Sequence, residues 1–139
     1  MSYSRIIQIE FNHCDPAGIV FYPRYFEMIN SVIENFFADE LKYPFARVTM
    51  EEGRGVPTVR IETDFTAPSR LGEKVAFTLD VTRLGRASVT FRLHARGGDE
   101  LRLRADMTLV WTSPEGRAEA WPETVRARLE QHLTKEARP

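Results

Sequence analysis

One carboxylate in this chain stands where it could do chemistry. It is Asp15, in the stretch FNHCDPAGIVFYPRYFEMIN from Phe11 to Asn30. A carboxylate is ionised at neutral pH and can serve as nucleophile or general base in acyl transfer. It can also cap a turn, and Asp-Pro pairs a good cap with a good first helical residue. Two features argue against the cap of a long helix. Gly18 follows three residues later, and the β-branched Ile19 and Val20 suit an extended connection. A single capped turn stays open beside the chemical reading.

The second group with chemical potential is a backbone amide. From Pro23 the apolar period becomes helical, with Tyr25, Phe26, Ile29, Val32, Ile33, Phe36 and Phe37 forming a wide stripe. Pro23 suits the first helical position, where its missing N–H costs nothing. The run VFYPRYF offers no Ser, Thr, Asp or Asn to cap this helix. Its first amides therefore lack a side-chain acceptor and carry partial positive charge, which could polarise a carbonyl or hold an oxyanion. One such donor is worth roughly 3–4 kcal/mol in a transition state.

Other reactive side chains read as structural. Cys14 has no evident base partner and suits a half-buried packing thiol. His13 shares a face with Asp15 if the segment is extended, but fits a loop residue. His94 belongs to the polar face of a strand. The arginines of FRLHARGGDELRLRAD alternate with Asp99, Glu100 and Asp106, which suits a solvated or subunit-facing sheet better than an RNA surface. Trp111 and Trp121 read as packing residues. The histidines His13, His94 and His132 show no metal-ligand spacing, so no metal site is expected.

The elements that must position Asp15 follow from periodicity. YSRIIQIEF predicts a short strand before it. After the helix, KYPFARVTMEEGRGV predicts a loop or a short helix. Four period-2 runs come next. Val59, Ile61 and Phe65 share a face, as do Val75, Phe77, Leu79 and Val81. Val89, Phe91 and Leu93 form a third set. Leu101, Leu103, Ala105, Met107, Leu109 and Trp111 form the fourth, with Arg102, Arg104 and Asp106 on its polar side. Such alternation predicts antiparallel strands with one buried face, arranged as a four-strand meander. RGGDE is the hairpin turn between the last two. Val125, Leu129 and Leu133 predict a terminal amphipathic helix. Five strands with one apolar face, and a helix too apolar for the surface, predict an α+β fold with a curved antiparallel sheet wrapped around the helix.

Bulk properties exclude several classes. With 139 residues, one domain over 1–139 is expected. A net charge of -1 gives no electrostatic case for nucleic acid or anionic membrane. The single cysteine leaves no disulfide framework. No apolar run approaches the roughly 20 residues of a membrane span. The opening MSYSRIIQIEF lacks the apolar centre of a secretory leader, so a cytoplasmic protein is expected.

CDPAGIVFYPRYF resembles the signature of the hotdog-fold acyl-CoA thioesterases, in particular the 4-hydroxybenzoyl-CoA thioesterase branch. DFTAPSRLGEKV and RLGRAS resemble two further family segments, and the likeness runs from about Ile7 to Trp111. The resemblance implies a curved five-stranded sheet around a central helix, and hydrolysis of acyl-CoA. It implies that Asp15 is the catalytic carboxylate, Gly18 the turn glycine and Tyr22 the residue whose N–H binds the thioester carbonyl. Arg86 would meet a CoA phosphate, and Gly55, Val56 and Pro57 would line the acyl pocket. No cofactor is implied, since coenzyme A belongs to the substrate. Self-association to a homodimer paired into a homotetramer is expected, because an open sheet has edges to cover.

The chain departs from the family at three places. Aromatic-CoA members carry adjacent basic residues where this chain has Gly85, Arg86 and Ala87. Asn30 stands where the hydroxybenzoyl enzyme has an acid, so a 4-hydroxyl preference is not implied. Pro23 stands where a short-chain branch has His. The expected activity is acyl-CoA hydrolysis, with an aromatic acyl group suggested by Phe21, Tyr22 and Tyr25. An acyl-thioester hydratase or dehydratase would need an acid-base residue, for which His13 is the nearest candidate. A non-catalytic acyl-CoA binding protein is the third reading.

Overall fold

Pro23 opens the helix that the spacing predicts. In a computed structural model, which describes residues 2–134, helix α1 spans Pro23–Asp39 with proline in its first turn. Tyr25, Met28, Ile29, Val32, Ile33, Phe36 and Phe37 form its buried face. Lys42 takes the left-handed backbone that ends such helices, at φ 56°. The amides of Leu41 and Tyr43 turn back to the carbonyls of Phe36 and Phe37. The helix is less enclosed than its composition predicts. Arg24, Glu27, Asn30 and Glu34 lie on a flank left open to solvent.

The sheet supplies the surface that α1 buries. Its strands are β1 (Tyr3–Gln8), β2 (Thr58–Phe65), β3 (Lys74–Leu84), β4 (Ser88–Gly97) and β5 (Glu100–Val110). All pair antiparallel, in the order β1-β3-β4-β5-β2. Cross-strand rows such as Phe77, Ala95, Leu103 and Val81, Phe91, Met107 mix large with small residues on the inner face. The Phe36 ring meets Phe91 edge-on at 5.4 Å and Tyr3 at 5.5 Å. This is the α+β arrangement of a curved sheet against one long helix that the pattern predicts.

Four details depart from the expectation. The last four strands are not a simple meander: β2 crosses to the far edge and pairs with β5, so residues 66–73 must span the end of the sheet. The apolar face of β2 is not buried. Val59, Ile61 and Phe65 are 60%, 43% and 45% exposed: β2 has a neighbour on one side only, and it meets Tyr25 and Phe26 of α1 through Phe65, its last residue. The terminal helix α2 is short, Glu123–Glu130; Leu133 lies beyond it, in a parallel bridge to Val81. Arg102 is not on the polar face. The register between β4 and β5 slips beside Ala95 and Arg96, and the bulge turns Arg102 inward, leaving it 6% exposed. The segment of open prediction after α1 is a π-helical turn, Ala46–Glu51.

Candidate active site

Asp15 lies at the head of a tight turn, not a helix. The Gly18 amide donates to the Asp15 carbonyl at 2.9 Å, closing a β-turn with Pro16 at its second position. The Ala17 amide donates to Asp15 Oδ1 at 2.8 Å. One carboxylate oxygen is thus held by the backbone and the side chain stays half-buried. Gly18 has φ +79°, where a side chain would strain the backbone. Cys14 and Val20 bridge across the turn, and Ile19 is extended beside Arg70, as the β-branched pair predicts.

The return strand of this turn runs straight into α1. Tyr22 is the residue before Pro23 and has no side-chain cap. The Phe21 amide donates to the His13 carbonyl at 2.9 Å and the Arg24 amide to the Phe21 carbonyl at 2.8 Å. The Tyr22 amide has no acceptor among the described residues. It sits where the partial positive charge of a 17-residue helix is concentrated. A carbonyl oxygen or an oxyanion is the ligand such an amide suits.

Beside it opens a largely apolar cleft of about 290 Å³, lined by Ile19, Val20, Tyr22, Tyr25, Phe65 and Pro68 among others. The Phe65 ring stands at the centre of an aromatic cluster, 5.9 Å from Tyr22, 5.8 Å from Tyr25 and 6.3 Å from Phe26. Tyr22, Phe26 and Asn30 follow at i, i+4 and i+8, a line along one helix flank. Asn30 is exposed and lies about 12 Å of helix rise beyond Tyr22.

The cleft is backed by the loop of residues 66–73. The Tyr25 hydroxyl donates to Ser69 Oγ at 2.8 Å, and burial pushes the Tyr25 phenol above its ordinary pKa. Arg102 Nη1 donates to the Pro68 carbonyl and Ser69 Oγ, each at 3.1 Å, and to Glu73 Oε1 at 2.9 Å. Arg102 Nη2 completes the fork on Glu73 Oε2 at 3.0 Å. Arg102, followed by the Arg70 amide, holds the Glu73 carboxyl down to about 2. Period-2 reading places Arg102 outside, so this residue was missed. Only a bulge could reveal it, and a bulge leaves no side-chain signature.

The remaining candidates lie elsewhere in the chain. Arg86 is exposed in the turn between β3 and β4. Gly55 bridges Thr112, and Pro57 accepts the Val110 amide at 3.1 Å, at the same end of the sheet as Arg86. Tyr22 and Asp15 lie at the opposite end, beside Phe65 and Ser69. Strands of 8 residues in β2 and 11 in β3 separate the two groups, roughly 25–35 Å of extended chain. One chain does not bring Arg86, Gly55, Val56 and Pro57 to Asp15.

The other reactive groups are occupied. His13 Nδ1 accepts the Glu10 amide at 2.8 Å. Cys14 Sγ points to the Glu10 carbonyl at 3.6 Å. His94 lies across from Thr78 and Arg104, and burial, then Arg96, Arg104 and Arg92, hold its imidazole below the usual range. Trp111 and Trp121 stack with centroids 5.5 Å apart and are buried. Among the described residues no group of His, Cys, Asp and Glu could hold a metal ion, and no helix is long and apolar enough to cross a membrane.

The thioesterase-like superfamily matches the chain over residues 9–129. The chain belongs to this superfamily, and it is a thioester hydrolase with the hotdog fold. It is similar to 4-hydroxybenzoyl-CoA thioesterase of Pseudomonas sp. strain CBS-3. The two are 29% identical over 115 residues, covering 78% of this chain and 82% of the relative. A crystal structure of a 4-hydroxybenzoyl-CoA thioesterase with an aspartate replaced by asparagine, in complex with 4-hydroxybenzoyl-CoA, superposes with a TM-score of 0.82. It is 27% identical and covers 92% of this chain and 98% of that one. A 1,4-dihydroxy-2-naphthoyl-CoA thioesterase from Synechocystis shares the fold at TM-score 0.84. That likeness covers 93% of this chain and 96% of the other, at 18% identity.

Proposed function

We propose that this protein hydrolyses an aromatic acyl-CoA to the free acid and coenzyme A. One observation carries the reading. A half-buried carboxylate, Asp15, and an acceptor-free amide, Tyr22, flank one short turn at the start of an uncapped helix. The thioester carbonyl takes the Tyr22 N–H. Asp15 then attacks the carbonyl carbon, or deprotonates a water that does. The C–S bond breaks and CoA leaves as thiolate, which needs no dedicated acid. In the nucleophilic route the acyl-Asp15 anhydride is opened by water; in the base route the acid forms directly. The Tyr22, Phe26 and Phe65 rings offer flat apolar walls to an aromatic acyl group. The aromatic substrates in the names of the similar enzymes support the same class.

The reading includes assembly. Arg86, Gly55, Val56 and Pro57 serve the site of a second copy. Antiparallel pairing of two β2 edges about a twofold axis sets the Pro57 end of one chain beside the Phe65 end of the other. Such dimers pair again into a tetramer. No cofactor, metal, nucleic acid or membrane takes part, and the protein works in the cytoplasm.

Thiol release over benzoyl, hydroxybenzoyl, phenylacetyl and short aliphatic CoA thioesters tests the proposal. Hydrolysis is expected, fastest with an aromatic group. Loss of enoyl absorbance without thiol release would assign a hydratase, and binding without turnover would assign an acyl-CoA carrier. Either result overturns the reading.

A further inference from the structure

The Asp15 turn and the Tyr22 amide belong to one segment, and that segment is docked on the loop of residues 66–73. The Val20 amide donates to the Ser69 carbonyl at 2.9 Å, and the Leu71 amide to the Gly18 carbonyl at 3.1 Å. Ile19 bridges Arg70, and the Tyr25 hydroxyl reaches Ser69 Oγ. The loop has little core of its own: Ser69 is its buried residue, while Thr66, Pro68, Arg70, Leu71 and Gly72 are exposed. What shapes it is Arg102. The Arg102 carbonyl accepts the amides of Thr66 at 2.9 Å and Ala67 at 3.4 Å. Its guanidinium binds Pro68 O, Ser69 Oγ and both oxygens of Glu73, and Glu73 O in turn accepts the Ile9 amide at 2.8 Å. Backbone and side chain of one bulged residue thus bind both ends and the middle of the loop.

A second feature reserves this place. A Cβ built at Gly97 would sit on the Arg102 guanidinium, 2.5 Å from Cζ. Gly97 has no left-handed φ that would demand glycine. Its missing side chain is the space the guanidinium occupies.

We infer that Arg102 is a positioning residue for hydrolysis: through Ser69, Glu73 and the loop 66–73, it holds the Asp15 turn and the Tyr22 amide in register with each other. The inference rests on the reading of Asp15 and Tyr22 given above. A bidentate guanidinium suits the role because it bonds several acceptors in one plane. Displacements near 1 Å at reacting groups can cost about 100-fold in rate.

Two variants test it. Arg102→Met removes the charge and the guanidinium and keeps an unbranched apolar stem. Gly97→Ala keeps the arginine and pushes its guanidinium off Glu73. The expected result is a folded protein whose kcat falls roughly 10- to 100-fold, with KM changed far less. Gly97→Ala should fall in the same direction, and it carries the test if Arg102→Met does not fold. Amide exchange gives a readout independent of turnover: Val20 and Leu71 should lose protection in both variants. Folded variants with wild-type kcat and wild-type protection overturn the inference. Asp15→Asn, run alongside, separates the two claims. If it keeps wild-type turnover, the catalytic reading fails, and the exchange result alone decides whether Arg102 positions the segment. If it is inactive while the Arg102 and Gly97 variants are unchanged, only the positioning claim fails.

Discussion

At the scale of single residues, Asp15 performs a structural task and is available for a chemical one. Its Oδ1 accepts the Ala17 amide, which a cap requires, and the second oxygen has no partner among the described residues. Asparagine separates the two tasks. An amide oxygen still accepts the Ala17 N–H, so Asp15→Asn should cost at most about 1 kcal/mol of stability. The amide cannot attack a thioester or take a proton. Thiol release should fall roughly 10²- to 10⁴-fold, while acyl-CoA binding survives on the untouched Tyr22 amide. A folded Asp15→Asn enzyme keeping more than about a tenth of wild-type kcat would return Asp15 to capping alone. The turn was legible in the order Asp-Pro-Ala-Gly, whose residue types match a β-turn position by position. Arg102 was not, because the bulge that turns it inward depends on how β4 and β5 pair.

Among the elements, the connection between β2 and β3 is the least self-sufficient. It spans the end of the sheet and depends on an ion pair, between Arg102 at 7% side-chain exposure and Glu73 at 36%. Arg102 Nε also lies 2.9 Å from Glu100 Oε1, without the alignment of a hydrogen bond. Glu73→Gln leaves the arginine without its partner charge. The expected cost near neutral pH is about 1–3 kcal/mol, below that of a fully buried pair because water reaches the carboxylate. The Glu73 carboxyl titrates near 2 in the folded chain, against an ordinary value of 4.5. The unfolded chain therefore binds this proton more readily, and acid favours unfolding. The stabilisation is complete above about pH 4.5 and is lost as pH falls toward 2. Urea midpoints of wild type and Glu73→Gln should differ at pH 6, and the gap should shrink steadily as pH falls from about 4.5 toward 2. A gap that stays constant would show that the ionised pair contributes nothing.

For the whole molecule, two facts point the same way. The edge strand β2 exposes Val59, Ile61 and Phe65, and the expected substrate contacts are split between opposite ends of the sheet. Unpaired edges with apolar faces invite a second chain. Sedimentation at micromolar concentration should show a dimer or tetramer; a stable, active monomer would defeat the proposal. A site shared between copies makes a sharper prediction. Arg86→Ala alone should raise KM for acyl-CoA and leave a pantetheine thioester, which lacks the nucleotide, nearly unaffected. Coexpressed with Asp15→Asn chains, it should form mixed dimers with one site carrying both defects and one intact. Turnover at low substrate should then recover to roughly a quarter of wild type. No recovery from verified mixed dimers would place Arg86 and Asp15 in the same chain's site.

The sequence by itself determined what local chemistry can specify. The helical period from Tyr25 to Phe37, the alternation of β3, β4 and β5, the Asp15 turn and the uncapped start at Tyr22 all follow from neighbours within a few residues. Side-chain period and turn propensity act at that range. The tertiary structure decided what depends on distant pairing. It put β2 at the far edge, where the same alternation that buries β3 leaves Ile61 in water. It bulged β5 at Arg102, and it set Arg86 about a strand's length from Asp15. Strand order and register are chosen by the summed burial of the sheet against α1, a quantity that no short window of sequence contains.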